Sequence, residues 1–447
     1  MTTKKWHVVP AMIATAILSF CGILFETSMN VTFPTLMAEF GVGATVIQWA
    51  TTGNLLAVAA TVPLSAYLIR NFSERQIFLM ANLLFLIGVA VDSFAANLMV
   101  LLLGRVLQGI GTGLALPLMY HIILHYVPLE KRGFMMGIAA MTTLLAPAIG
   151  PTYGGFVLAH FGWQMIFMLL SPLLIVSTIV GLFSIPSKKV FISEKLNLPA
   201  FVFLGIGLVL LLLSIEKLSL LFFLVALVAM VIFYQLNKKN RLLNLAVFSN
   251  RAFVILLYGV FAYQIVPLAL SFVLPNHLQL VLAQTSTQAG MFMFPGALIV
   301  VAMSPVSGYL FDKVGSFKPI LAGLTTVLFG LGAMFICIMG HSVWLLLLAD
   351  MTVKLGMGIG ASNMVTSALT KLSKEQSADG NSVLNTFQQF AGAFATAVAS
   401  QLFSMGQASG LENGASLGGR NAVVFVMVTV AVAVIGLIYL KKKNEIT

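Results

Sequence analysis

The sequence predicts an all-α membrane protein: two six-helix bundles plus two extra helices, fourteen transmembrane helices in all. Three observations carry this. The 447-residue chain is 60% hydrophobic and only 8% charged, against about 25% charged in a soluble domain. Its apolar stretches run to about 20 residues, the length at which one helix crosses the hydrocarbon core. The two halves also resemble each other at a nearly constant offset. A soluble enzyme of this length would lack the polar groups to cover such a surface. Short segments of alternating polarity, the pattern of a membrane barrel, are absent.

Helices are expected at about 8–30, 45–69, 76–95, 98–124, 133–158, 163–185, 197–214, 218–236, 252–275, 287–311, 317–339, 343–367, 381–405 and 421–440. The seventh and eighth are joined only by Glu216-Lys217-Leu218-Ser219. The basic start, Met1 to Lys5, suggests a signal peptide. The apolar run behind it is too long for one and contains Glu26 and Asn30, so it is read as the first helix. Cys21 and Cys337 lie inside apolar runs and read as small packing residues, with no disulfide framework implied.

Lys and Arg set the orientation. With the N-terminus in the cytoplasm, inner segments hold 20 of the 24 basic residues. Only Lys217 and Arg420 face outside, and Arg105 and Lys354 stay within the membrane. Both termini are therefore expected in the cytoplasm, and the net charge of +11 follows from this asymmetry. Clustered base-reading chemistry is absent, so no nucleic-acid role is expected.

"PLSAYLIRNF" at 63–72 matches "PVSGYLFDKV" at 305–314, an offset of 242. "GIGTG" at 109–113 matches "GMGIG" at 356–360, an offset of 247 that Gly133 and Gly380 share. Two bundles in the same orientation follow, related by an axis along the membrane normal. The domains are then residues 1–196, a first bundle; 197–250, two extra helices and a cytoplasmic linker; and 251–447, a second bundle. Such a layout puts a solute path between the bundles and points to a transporter.

Particular motifs carry a resemblance. "FETSMNVTFPTL", "GRVLQGIGTG" with Arg105, Gln108 and Gly109, "APAIGPTYGG" with Gly150, Pro151, Gly154 and Gly155, "GYLFDKVGSFK" with Asp312 and Gly315, and "NTFQQFAGAF" stand at 25–36, 104–113, 146–155, 308–318 and 385–394. Across nearly the whole chain the sequence resembles the major facilitator superfamily, and within it the fourteen-helix drug:proton antiporters. Glu26 stands where that family usually has Asp. The first-half loop motif departs further, with Ala66 and Ser73 for Gly and Arg70 for Asp. Asn54 and His277 stand where aromatics are common. The resemblance implies a fold in which helices one, four, nine and twelve line the cavity.

Four ionisable groups are expected inside these helices: Glu26, Arg105, Asp350 and Lys354. At 1.5 Å per residue, Glu26 is about 27 Å from the inner start of its helix. Arg105 and Asp350 are each about 10 Å from the outer starts of theirs, so all three share one level. Intramembrane charges are costly and face a polar interior. Burial raises a carboxyl's proton affinity and a nearby arginine lowers it. A carboxyl whose solvation changes with state can therefore carry a proton, and a cationic solute competing for it would give antiport. Glu26, Asp350 and Arg105 are the proton-coupling candidates, with Arg105 tuning the carboxyl. The alternative for Glu26 is an ion pair with Arg105 that only fixes packing. Asp350 has a similar alternative in its i,i+4 neighbour Lys354.

Glu26, Asn30, Asp350, His277 and Gln389 are the substrate-binding candidates. Asn385, Gln388, Gln389, Gly392 and Thr396 form one polar stripe, suited to interhelical hydrogen bonds or to lining a path. Asp312 reads as a gate or as a solvated charge. Gly150, Pro151, Gly154 and Gly155 permit close packing and a bend. Met291, Phe292 and Phe294 suit an adaptable apolar pocket. His121 and His125 read as interfacial anchors. No nucleotide-binding loop, metal cluster or nucleophile–base constellation is found. The expected function is proton-coupled export of lipophilic, often cationic, drugs and dyes across the bacterial inner membrane. The protein is expected to act as a monomer, with no cofactor beyond the proton gradient. A narrow exporter of one metabolite or lipid-like solute, and a membrane sensor without transport, are the alternatives.

Overall fold

In a computed structural model, the structure describes residues 7–186, 196–239, 241–340, 342–411 and 413–446. Every described regular element is a helix. Twelve helices among the described residues are long and apolar enough to cross a membrane. Each of the fourteen expected segments meets a helix.

The chain divides into two compact units, one of residues up to Met29 with Trp49–Leu242, the other of Asn30–Gln48 with Leu243 onward. The first unit begins with α1 (Val8–Phe40), whose last third belongs to the second unit, as does the short α2 (Ala44–Ile47). It continues through α3 (Trp49–Asn71), α4 (Glu74–Ser93), α5 (Leu98–Tyr126), α6 (Leu129–Phe161), α7 (Met165–Met168), α8 (Ser171–Ser184), α9 (Leu198–Glu216) and α10 (Leu220–Lys239). The sixth expected helix is thus broken before Ser171-Pro172; proline at the start of α8 suits a first turn, whose N–H is unpaired anyway. Both α3 and α4 lie along α5, and α9 packs on α10 and touches α3.

The second unit contains α11 (Arg251–Leu280), α12 (Ser286–Val314), α13 (Phe317–Cys337), α14 (Val343–Leu369), α15 (Lys374–Ala408) and α16 (Gly414–Lys442). α12 and α13 lie along α14, and α11 packs on α15 and α16. Lipid tails are as apolar as leucine, so such helices hold together by close packing at small residues and by hydrogen bonds.

Glycine contacts define the repeat register. A Cβ on Gly111 would meet Ala81 and Phe85, and one on Gly356 would meet Gly323 and Val327. A Cβ on Gly113 would meet Val58 and Thr61, and one on Gly358 would meet Val300 and Met303. The offset is therefore 242 residues for α3 onto α12 and α4 onto α13, and 245 for α5 onto α14. The 247 read from "GIGTG" and "GMGIG" is corrected by two residues, because glycines recur every second position there and letters alone cannot fix the register. With the offset of 245, Arg105 corresponds to Asp350.

The two loop motifs close differently. Gly315 ends α12 with φ of 78°, a backbone that favours glycine. At the matching first-half loop, Ser73 instead caps α4: its hydroxyl accepts from the Gln76 N–H at 3.3 Å, and its own N–H donates to Gln76 Oε1 at 2.9 Å.

Candidate transport site

In the first unit the site is built where α1, α5 and α6 meet. Glu26 on α1 is half-buried, and no hydrogen bond to its carboxyl is found among the described residues. The turn around it is gripped by the glycine motif of α6. Ser28 Oγ donates to Gly150 O at 2.8 Å, and a Cβ on Gly154 would lie 2.6 Å from Ser28 O. Gly150, Pro151, Gly154 and Gly155 are all buried. Removing side chains there lets α6 approach the backbone that presents Glu26.

Arg105 on α5 is fully buried. Its Nε donates to Ala50 O at 2.9 Å and its Nη1 to Gln108 Oε1 at 2.6 Å. Gln108 Nε2 donates in turn to Asp92 Oδ2 at 2.8 Å. Asn54 Nδ2 donates to the Arg105 carbonyl at 2.8 Å, which fixes the helix turn carrying the guanidinium. The guanidinium carbon sits 5.9 Å from the Phe167 ring centre, and Phe167 meets Phe25 edge-on at 5.2 Å. The one cation acts electrostatically on both Glu26 and Asp92.

Sequence reasoning missed Asp92. It is the penultimate residue of α4, where an acid reads as interfacial, yet it is fully buried. Its spacing held a signal: Asp92 is one turn beyond Gly88, and a Cβ on Gly88 would lie 2.7 Å from Gly104 O. An acid at i+4 from a helix-contact glycine shares that glycine's face.

In the second unit, Asp350 on α14 is fully buried, and neither carboxyl oxygen has a hydrogen-bond partner among the described residues. Lys354, one turn on, is 7% exposed and is its electrostatic neighbour. Both pack on Gly296 of α12, where a Cβ would lie 2.6 Å from Asp350 Oδ2 and 2.8 Å from Lys354 Cγ. Asn30 Nδ2 donates to Ser271 Oγ at 2.9 Å. His277 on α11 is fully buried. Gln388 and Gln389 on α15 are half-buried, whereas Asn385 and Thr396 bond back onto their own helix at Asn381 O and Gly392 O. The Asp312 side chain lies outside the described part of the structure.

At the other end of α4 and α5, Glu74 accepts a short hydrogen bond from the Tyr126 hydroxyl and lies 3.7 Å from His121 Nε2. Burial and this carboxylate push the Tyr126 phenol above its ordinary value. Thus Glu74, four residues after Arg70, supplies an acid beside the first-half loop although Arg70 replaces the motif's own. An apolar cavity of about 330 Å³ lies among α3, α5 and α9, lined by Trp49, Leu56, Leu102, Val106 and Leu208 among others. No group of three His, Cys, Asp or Glu able to hold a metal is found among the described residues.

The long apolar helices, the two repeats and the charges buried within them define a multi-pass membrane transporter. The chain belongs to the Major Facilitator Superfamily, whose sequence profile matches residues 15–396. It is 30% identical to the lincomycin resistance protein LmrB of Bacillus subtilis, over 98% of this chain and 97% of that one. It is 27% identical to a multidrug resistance protein B homolog of Mycobacterium tuberculosis, over 85% of this chain and 73% of that one. A crystal structure of a POT family transporter in complex with 5-aminolevulinic acid superposes with a TM-score of 0.70 at 18% identity, covering 96% of each chain. That likeness shows the fold.

Proposed function

We propose that this protein is a proton-coupled multidrug efflux antiporter of the bacterial cytoplasmic membrane. It exports lipophilic, often cationic, drugs and dyes by alternating access, with both termini in the cytoplasm. It is driven by the proton gradient and acts as a monomer. The observation that carries this reading is Glu26: a half-buried carboxyl in an apolar span, within the electrostatic reach of the buried Arg105, on a helix turn held by the Ser28–Gly150 hydrogen bond between α1 and α6. The names of the relatives, a lincomycin and a multidrug resistance protein, support drug export.

The chemistry follows from solvation. An ionised Glu26 exposed to one side binds a cation or a proton, and the two exclude each other. Uptake of a proton from outside expels the cation, and loss of that proton inside resets the site. Asp350 with Lys354 forms the second charged station, and Asn30, His277 and Gln389 contribute polar contacts to solutes. Gly150, Pro151, Gly154 and Gly155 seal α6 on α1, and Asp312 acts at the gate.

The experiment is ethidium efflux from cells stripped of their own pumps, with unrelated lipophilic cations and lincomycin as competitors. Competition by chemically unrelated solutes is expected. Export of a single solute, insensitive to the others, would overturn the multidrug reading.

A further inference from the structure

Asp92 plays no part in the cycle just described, yet it is the far end of the chain from Arg105 through Gln108. Asp92 Oδ1 and Arg105 Nη2 are both buried without a hydrogen-bond partner. The Asp92 carboxyl lies where Gly104 has no side chain: a Cβ there would strike Oδ1. A buried acid bonded to an amide is an expensive way to join two helices, and the second repeat shows that the fold does not call for it. With the offsets of 242 and 245, Asp92, Gln108 and Gly104 correspond to Met334, Val353 and Ala349. Met334 and Val353 are fully buried, and α13 crosses α14 there with no polar side chain from those positions. At these positions the crossing of α4 on α5 carries an acid and an amide where its counterpart carries two apolar side chains.

We propose that Asp92 is the alternate counter-ion of Arg105, a positioning residue that holds the guanidinium through Gln108 whenever Glu26 is neutral. This rests on the reading of Glu26 as the proton site and deepens it. One guanidinium serves two carboxyls. With both ionised the cluster carries a net charge of −1, and either a proton or a monovalent cation on Glu26 brings it to zero. Without Asp92, loading would run from zero to +1, leaving a buried cation uncompensated and opposing a cationic solute. Asp92 thus makes loading of Glu26, by proton or by cargo, a neutralising step that leaves no uncompensated buried charge.

The groups facing Asp92 are few. α5 contributes Arg105, while α7 and α8 carry no titratable side chain. The Tyr67 and Arg70 of α3, the Glu74 and Arg75 of α4, and the His121, His125 and Tyr126 of α5 lie at the other ends of their helices. The pH response of the cluster is therefore governed by Glu26, Arg105 and Asp92.

The test is ethidium binding by the purified full-length protein between pH 5 and 9, for the wild type and the variants Asp92→Asn, Gln108→Leu and Glu26→Gln. Removing the Asp92 charge leaves Arg105 to Glu26 alone. The pH below which protons displace ethidium then moves down by about one unit, and plateau affinity falls about tenfold. Gln108→Leu keeps both charges but cuts the link, so a smaller shift in the same direction is expected. A merely structural role would lower the amount of folded protein and leave the midpoint in place. An unchanged midpoint in Asp92→Asn overturns the proposal. If that variant does not fold, an unchanged midpoint in Gln108→Leu overturns it. Glu26→Gln separates the two readings. If it keeps the wild-type pH dependence, the proton-site reading fails. If it abolishes that dependence while the other two keep the wild-type midpoint, this inference alone fails.

Discussion

Arg105 and Asp350 hold the same place in the two repeats and carry opposite charges. Each sits on the helix that its repeat wraps with two others, one turn before a position where α3 or α12 comes into contact. In the first repeat Asn54 meets that position and bonds the Arg105 carbonyl. In the second the equivalent residue is Gly296, which leaves room for Asp350 and Lys354.

That room is testable. Gly296→Ala adds a methyl group 2.6 Å from Asp350 Oδ2, forcing a buried charged pair to move. We expect a loss of about 1–3 kcal/mol in stability, read as a lower melting temperature in detergent, with reduced efflux.

The Asp350–Lys354 relationship separates by a double-mutant cycle. Asp350→Asn alone leaves Lys354 without its neighbouring charge and should cost about 3 kcal/mol or more. Asp350→Asn with Lys354→Gln should recover most of the melting temperature. Efflux should stay low in both, since the carboxyl is missing in both. Full recovery of efflux in the double variant would mean that the pair serves packing alone.

A backbone contact should be less forgiving than a side-chain one. Gly154→Ala puts a Cβ against Ser28 O, which has nowhere to go, so α6 must lift from the turn carrying Glu26. Efflux and melting temperature should fall together. Gly332→Ala on α13 faces open space and should change stability by no more than about 0.5 kcal/mol.

At the far end of α5, Tyr126→Phe removes the donor to Glu74. A hydrogen bond to a charged acceptor is worth about 1.5–3 kcal/mol. A melting-temperature drop is expected, smaller than that of Gly154→Ala, with efflux largely retained.

Much of this was legible in the residues alone, because a membrane helix announces itself by length and apolarity. The helix ends were not. α1 runs ten residues past its expected end, through Pro34 and Glu39, and α15 starts seven residues early, at Lys374, because polar residues continue a helix beyond the hydrocarbon. Glu26, Arg105 and Asp350 stood out as charges deep in apolar runs. Asp92 did not, because its burial comes from a neighbouring helix that lacks a side chain at Gly104. Partners such as Ala50 O and Gly150 O are backbone groups, and no letter in the sequence marks them.

The central claim is that Glu26 exchanges a proton for cargo. Everted vesicles with an imposed pH gradient, given ethidium in the bath and carrying a pH-sensitive dye, measure both fluxes at once. Wild-type protein should accumulate ethidium uphill with a coupled proton flux, and Glu26→Gln should lose both while remaining folded in the membrane. If Glu26→Gln drives ethidium uphill at the wild-type rate with the same proton count, the account is contradicted.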